Sequence, residues 1–104
     1  MTVAVAIPPP PTIADGLRVQ IPGTLTFPIV QRLAEDVLTV SDEEIVETLR
    51  FVLTRMKLLV ETSGVAAAAA VMFKKLPADV NRVGVVFSGG NIDTDLLAKL
   101  ISAP

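Results

Sequence analysis

Apolar positions recur at two different spacings along this chain, and the switches between them divide it into elements. Residues 2–7, TVAVAI, alternate β-branched and small side chains and suit a short strand, after which four prolines at 8–11 impose an extended polyproline segment. TIADGLRVQIPGT follows as an irregular connection punctuated by Gly16, Pro22 and Gly23. From Thr26 the run TFPIVQRLAED reads as a short helix. Pro28 falls in its first turn, where amide donors are free in any case, and Ile29, Val30 and Leu33 form its apolar face. VLTV at 37–40 reads as a compact strand.

Ser41 ends that strand and opens the clearest helix in the chain. Glu44 stands three residues on, so the two side chains can each satisfy a free amide of the other residue in a capping box. Ile45, Leu49, Val52, Leu53, Met56, Leu59 and Val60 then recur at spacings of three and four, one continuous stripe toward a core. Acidic residues at the start and Arg50, Arg55 and Lys57 toward the end agree with the helix dipole. A second helix is expected from Thr62 or Ser63 to a point before Pro77, its five alanines at 66–70 giving a surface for close packing. RVGVVF at 82–87 is apolar on both alternating faces, as in a parallel strand covered on both sides. The last helix, capped by Asn91 or Asp93, would bury Leu96, Leu97, Leu100 and Ile101. The order predicts an α/β fold. It is a small three-layer domain, with a short, mostly parallel sheet of two to three strands flanked by about four helices and joined by a right-handed crossover. Residues 1–11 are an extended leader and 12–104 the single domain.

Composition narrows what such a domain can do. The chain has 104 residues, 51% of them hydrophobic, with no Trp or Tyr. That is rich for a soluble monomer, so a hydrophobic face closed by another copy or another polypeptide is expected. Nine Lys and Arg against eleven Asp and Glu form no basic stripe, which argues against nucleic acid. Without Cys or His there is no thiolate nucleophile, no thiolate zinc site and no imidazole base. The amino terminus lacks a basic segment and its apolar run is too short for a signal peptide or membrane span, so the cytoplasm is the expected location.

Three polar clusters stand out. Ser88-Gly89-Gly90-Asn91 sits at the carboxyl end of the expected strand and at a helix start, where open α/β sheets place ligands. The competing reading is that two glycines only turn the chain. The pattern is neither Gly-x-Gly-x-x-Gly nor a Gly-Lys-Ser/Thr loop, so dinucleotide and nucleoside-triphosphate binding are unsupported. Asp15-Gly16 lies in an otherwise apolar loop and is also explicable as a turn. Glu61, between an apolar strip and the next helix, is either a solvated residue at a helix start or a functional carboxylate. Asp93 and Asp95 are capping residues rather than a metal site.

Taken in order, TIADGLRV, FPIVQRL, VSDEEI, MKLLVETSGVAAAAAV and VVFSGGNIDTDLL resemble the carboxy-terminal third of threonine dehydratases and serine racemases, pyridoxal-phosphate enzymes of fold type II. The resemblance spans about residues 11–101. It implies pyridoxal phosphate as the cofactor. Ser88 would offer its hydroxyl to the pyridine nitrogen, Gly89 would let the backbone pass close to the ring, and Glu61 would lie near the cofactor. Asp15 and Gly16 would line the substrate side. Thr62 replaces a proline usual in the family, which implies a looser backbone there.

The same resemblance implies a lysine for the Schiff base in an amino-terminal Ser-Phe-Lys motif, and Lys57, Lys74, Lys75 and Lys99 match none of it. A glycine run to cradle the cofactor phosphate is also absent from these residues. The expectation is therefore a fragment of a threonine or serine dehydratase that neither catalyses nor holds the cofactor alone, with no catalytic residue of its own. Its partner would be either a missing amino-terminal enzyme part or a second copy. The contrasting expectation is a stand-alone, non-catalytic α/β domain that self-associates. A weaker third is an anion-binding module built on Gly89 and Gly90.

Overall fold

The computed structural model describes residues 3–102. Its elements are a 3-10 turn at Asp15–Leu17, α1 at Thr26–Leu33, α2 at Asp42–Phe51, a π turn at Val52–Met56, a 3-10 turn at Ser63–Val65, α3 at Ala66–Met72 and α4 at Thr94–Ser102. None of these helices is long and apolar enough to cross a membrane.

The helices form in the regions that the apolar spacing predicts, but α3 is shorter than expected: a 3-10 turn takes Ser63–Val65, and the helix ends at Met72, before Lys74 with its left-handed φ of 56°. Ser41 caps α2: its Oγ accepts from the Glu44 amide at 3.1 Å while the Ser41 amide donates to Glu44 Oε1 at 2.8 Å. Ile45 and Leu49 on α2 join Val52, Val60, Val65 and Ala14 in one small buried core, against which Ile13, Val40, Phe87, Ile92, Leu97 and Leu100 pack. α3 turns Ala68 and Ala69 inward and lies against α2, the close approach that the alanine run predicts. Asp93, rather than Asn91, caps α4, its Oδ1 accepting from the Asp95 amide at 2.9 Å. Arg50 on α2 reaches α4 and donates through both Nε and Nη2 to the Leu100 carbonyl, at 2.9 and 2.7 Å.

The expected sheet is not formed: no β-strand occurs among the described residues, so the α/β, three-layer architecture is corrected to an all-helical one. The reason is that a strand is defined by a hydrogen-bonded neighbour. The runs 37–40 and 82–87 have the residue types of strands, yet nothing here pairs with them, and Val37 and Val86 remain 76% and 74% exposed. The strand expected at 2–7 begins outside the described residues, and 3–7 contributes only a hydrogen bond from the Ile7 amide to the Gln20 carbonyl.

Two helical faces are also corrected. The stripe drawn through Met56 and Leu59 stops early, because the α2 helix passes into the π turn and Lys57 takes a left-handed φ of 62° that ends it. Val60 is buried beyond that break, whereas Met56 and Leu59 are exposed. On α1, Ile29, Val30 and Leu33 are all exposed and the helix touches no other, so its apolar face has nothing to bury against. Ile101 on α4 is likewise exposed.

Glu44 carries a pH-dependent part of this stability. The Ser41 amide donating to its carboxylate, and then the Lys75 ammonium 3.1 Å away, hold its pKa below the ordinary 4.5. A carboxyl depressed by folding stabilises fully above its unfolded pKa and loses that contribution as pH falls through the folded value. Glu44→Gln should therefore be less stable than the wild type near neutrality, with the gap closing on acidification below pH 4.5. Urea midpoints measured across that range check it; a gap independent of pH would contradict the assignment.

Candidate functional site

Two hydroxyl residues fix the loop that carries Asp15 and Gly16. Thr62, only 4% exposed, donates from Oγ1 to the Ile13 carbonyl at 2.8 Å, and Ser63 Oγ accepts from the Gly16 amide at 2.7 Å. From the other side, Asp42 at the start of α2 accepts from Thr12 Oγ1 at 2.5 Å and from the Ile13 amide at 3.2 Å. The backbone at Thr62 is thus anchored by its own side chain, where the sequence suggested a looser segment.

Glu61 immediately precedes this anchor. Its amide donates to the Gly89 carbonyl at 2.9 Å, and its carboxylate fills the space beside the Gly89 Cα, where a Cβ would lie 2.8 Å from Oε1. A Cβ on Gly90 would meet the Leu59 carbonyl oxygen at 2.7 Å, and one on Gly64 would meet the Gly89 oxygen at 2.9 Å. None of the described glycines has a positive φ. The glycines at 64 and 90 therefore allow close approach between two backbone segments, and Gly89 leaves room for the Glu61 carboxylate.

Asp15, Gly16, Glu61, Ser63, Asp93 and Leu96 line one cleft of about 80 Å³. Three of the five residues singled out from the sequence thus share a cleft, and a fourth, Gly89, touches Glu61. Ser88 does not line it: it is exposed, beside Gly89 on the outer side. Sequence reasoning missed the hydroxyls of Thr62 and Ser63 as anchors, although a polar Glu-Thr-Ser-Gly run between an apolar strip and five alanines was a visible signal. It also missed Asp42, whose partner lies 30 positions away. A larger open groove of about 530 Å³ between the start of α2 and Leu100 contains none of the predicted residues. No metal-holding cluster of three or more acidic residues exists among the described residues.

These residues fit one edge of pyridoxal phosphate and no more. The exposed Ser88 hydroxyl is a donor of the kind that suits a pyridine nitrogen, while the space beside the neighbouring Gly89 is taken by the Glu61 carboxylate. A space of about 80 Å³ is well short of the roughly 300 Å³ at which ligand pockets begin, so the cleft cannot enclose the molecule. Nor is there a glycine-rich nest of amides to take its phosphate in this part of the chain.

Comparison with known proteins identifies the family. A family model described as pyridoxal-phosphate dependent enzyme matches residues 2–89. An L-threo-3-hydroxyaspartate ammonia-lyase from Pseudomonas sp is 44% identical over 93% of this chain, and a serine racemase from Schizosaccharomyces pombe is 42% identical over 94%. The crystal structure of a T.th. threonine deaminase superposes on 86% of the chain with a TM-score of 0.78 and 38% identity. In each case the chain spans about 30% of the relative's length. With a family model that matches residues 2–89, the chain belongs to the pyridoxal-phosphate dependent enzyme family.

Proposed function

We propose that these residues form the ring-side wall of a cofactor pocket in an ammonia-lyase or racemase that acts on a small hydroxy amino acid. The observation that carries the reading is the convergence of Asp15, Gly16 and Glu61 on one cleft, with Gly89 packed against the Glu61 carboxylate. The names of the relatives support the substrate class, since they are ammonia-lyases and racemases of serine, threonine or hydroxyaspartate.

When bound, pyridoxal phosphate supplies an electron sink for cleavage at the amino acid Cα. Ser88 would offer its hydroxyl to the pyridine nitrogen of the bound cofactor and so favour the unprotonated nitrogen. Gly89, lacking a Cβ, would leave the Glu61 carboxylate its place beside the ring-side backbone. Glu61 holds that backbone at a fixed height through its amide, and Asp15 and Gly16, anchored by Ser63, line the substrate edge. The amine that carries the cofactor and the phosphate cradle come from outside these 104 residues, so this segment alone neither retains the cofactor nor turns over substrate.

A chimaera tests this: the segment replaces the matching part of the Pseudomonas L-threo-3-hydroxyaspartate ammonia-lyase. Ammonia release from the chimaera is expected. Ser88→Ala, which leaves the ring nitrogen without its donor, should cost about tenfold to a hundredfold in kcat, with partial rescue by Ser88→Thr. A folded, cofactor-loaded chimaera that releases no ammonia, or one indifferent to Ser88→Ala, would overturn the reading.

A further inference from the structure

Asp15 is the one aspartate of the chain that is followed by glycine; the others precede Val37, Glu43, Val80, Thr94 and Leu96. That pairing has a chemistry of its own. A peptide nitrogen can attack the side-chain carboxyl carbon of the aspartate before it, and a following residue without a Cβ obstructs that approach least. The Asp15 side chain is 78% exposed and its ionic contact with Arg18 is long, 3.8 Å, so protons and water reach the carboxyl group.

The attacking nitrogen, by contrast, is held. The Gly16 amide donates to Ser63 Oγ at 2.7 Å, across 47 positions of sequence. The turn around it is closed by the Leu17 amide on the Ala14 carbonyl at 2.9 Å and by the Arg18 amide on the Asp15 carbonyl at 3.2 Å. Thr62, beside Ser63, is tied to the same loop through the Ile13 carbonyl. Ring closure requires the peptide between 15 and 16 to rotate out of its 3-10 conformation, and that rotation breaks the bond to Ser63. A Cβ at position 16 would lie 2.9 Å from Ser63 Oγ and 3.1 Å from Ser63 Cβ. The glycine that lets the serine come close is therefore the same residue that opens Asp15 to attack.

We propose that Asp15–Gly16 is a site of spontaneous isoaspartate formation, and that the Ser63 hydroxyl is the latch that holds it shut in the folded chain. In the reaction the Gly16 nitrogen gives up its proton and bonds to Asp15 Cγ, while the protonated carboxyl group loses its hydroxyl; the two leave together as one water. The product is a five-membered succinimide. Water then adds back. Attack at Cγ restores aspartate, whereas attack at the Asp15 backbone carbonyl breaks its bond to the Gly16 nitrogen and leaves the chain running through Cβ and Cγ. One water leaves and one returns, so mass and oxidation state are unchanged. The backbone gains a methylene and the free carboxylate moves to Cα, within the loop that lines the cleft. No cofactor takes part, so this chemistry stands apart from the proposed pocket wall.

The purified 104-residue chain, aged at mildly acidic pH and assayed for isoaspartate with an L-isoaspartyl methyltransferase and by peptide mapping of Thr12–Arg18, supplies the test. The folded wild type should react roughly tenfold more slowly than the same chain held in urea, because reaction waits on local opening. Ser63→Ala should speed the folded reaction by about threefold to tenfold, the weight of one hydrogen bond on the barrier. Ser63→Thr, which keeps the hydroxyl, should return it toward the wild-type rate. In urea the three chains should react alike. Exchange of the Leu49 amide, in the core, separates loss of the latch from loss of the fold and should stay at its wild-type rate in Ser63→Ala. Equal folded rates for the wild type and Ser63→Ala, a folded wild type as reactive as the unfolded one, or an acceleration matched by faster Leu49 exchange would each overturn the assignment.

Discussion

A single methyl group added at Gly64 should separate the two halves of the cleft. Its Cβ would lie 2.8 Å from Val60 Cγ1, 2.9 Å from the Gly89 carbonyl oxygen and 3.2 Å from the Gly89 nitrogen. Val60 belongs to the core and Gly89 is backbone, so neither neighbour is the free end of a flexible side chain. Relief requires the 60–65 turn to move away from 89, which lengthens the Glu61 amide bond to the Gly89 carbonyl. Overpacking of this kind costs about 1–3 kcal/mol. Gly64→Ala should therefore lower the urea midpoint and speed exchange of the Glu61 amide. Gly84→Ala is the matched control. With open space around it and no positive φ, it should be neutral or stabilising by about 0.4–1 kcal/mol through the unfolded chain. Equal effects at the two sites would show that room at Gly64 is not what the glycine provides.

The second large effect is expected at Leu49. It is 2% exposed and sits with Ile45, Val52 and Val65 in a small core, among the eight buried apolar residues found in the described part of the chain. Leu49→Ala removes three buried carbons and leaves a void, at a cost of about 2–5 kcal/mol. Small domains have about 5 kcal/mol of stability or less in total, so the cost is comparable to the whole. The variant should lose its cooperative urea transition. Near-UV and far-UV circular dichroism through a urea titration report both states. A transition as sharp as the wild type's would show that the small core is not the principal source of stability.

What the sequence disclosed depended on the range of the interaction. Helix positions follow from contacts within four residues, and the capping box of Ser41 and Glu44, the alanine packing face of α3 and the cap at Asp93 were legible for that reason. The sheet was not. The run at 82–87 has the composition of a covered strand, but a ladder needs a partner that these residues do not provide. The same holds for α1, whose apolar face is clear in the sequence and stands exposed in the fold. Within the cleft, Asp15, Gly16 and Glu61 were identifiable as polar or glycine interruptions in apolar surroundings. Their anchors at Asp42, Thr62 and Ser63 were not, because those bonds join positions 29 to 49 residues apart.

The guanidinium of Arg50 gripping the Leu100 carbonyl has a consequence for the cleft that neither residue lines. α4 bears Leu96 at its inner turn and follows Asp93, so the tilt of that helix sets one lip of the opening. Arg50 works as a remote tether on that lip, and loosening the tether would reshape the mouth of the pocket without altering any group inside it.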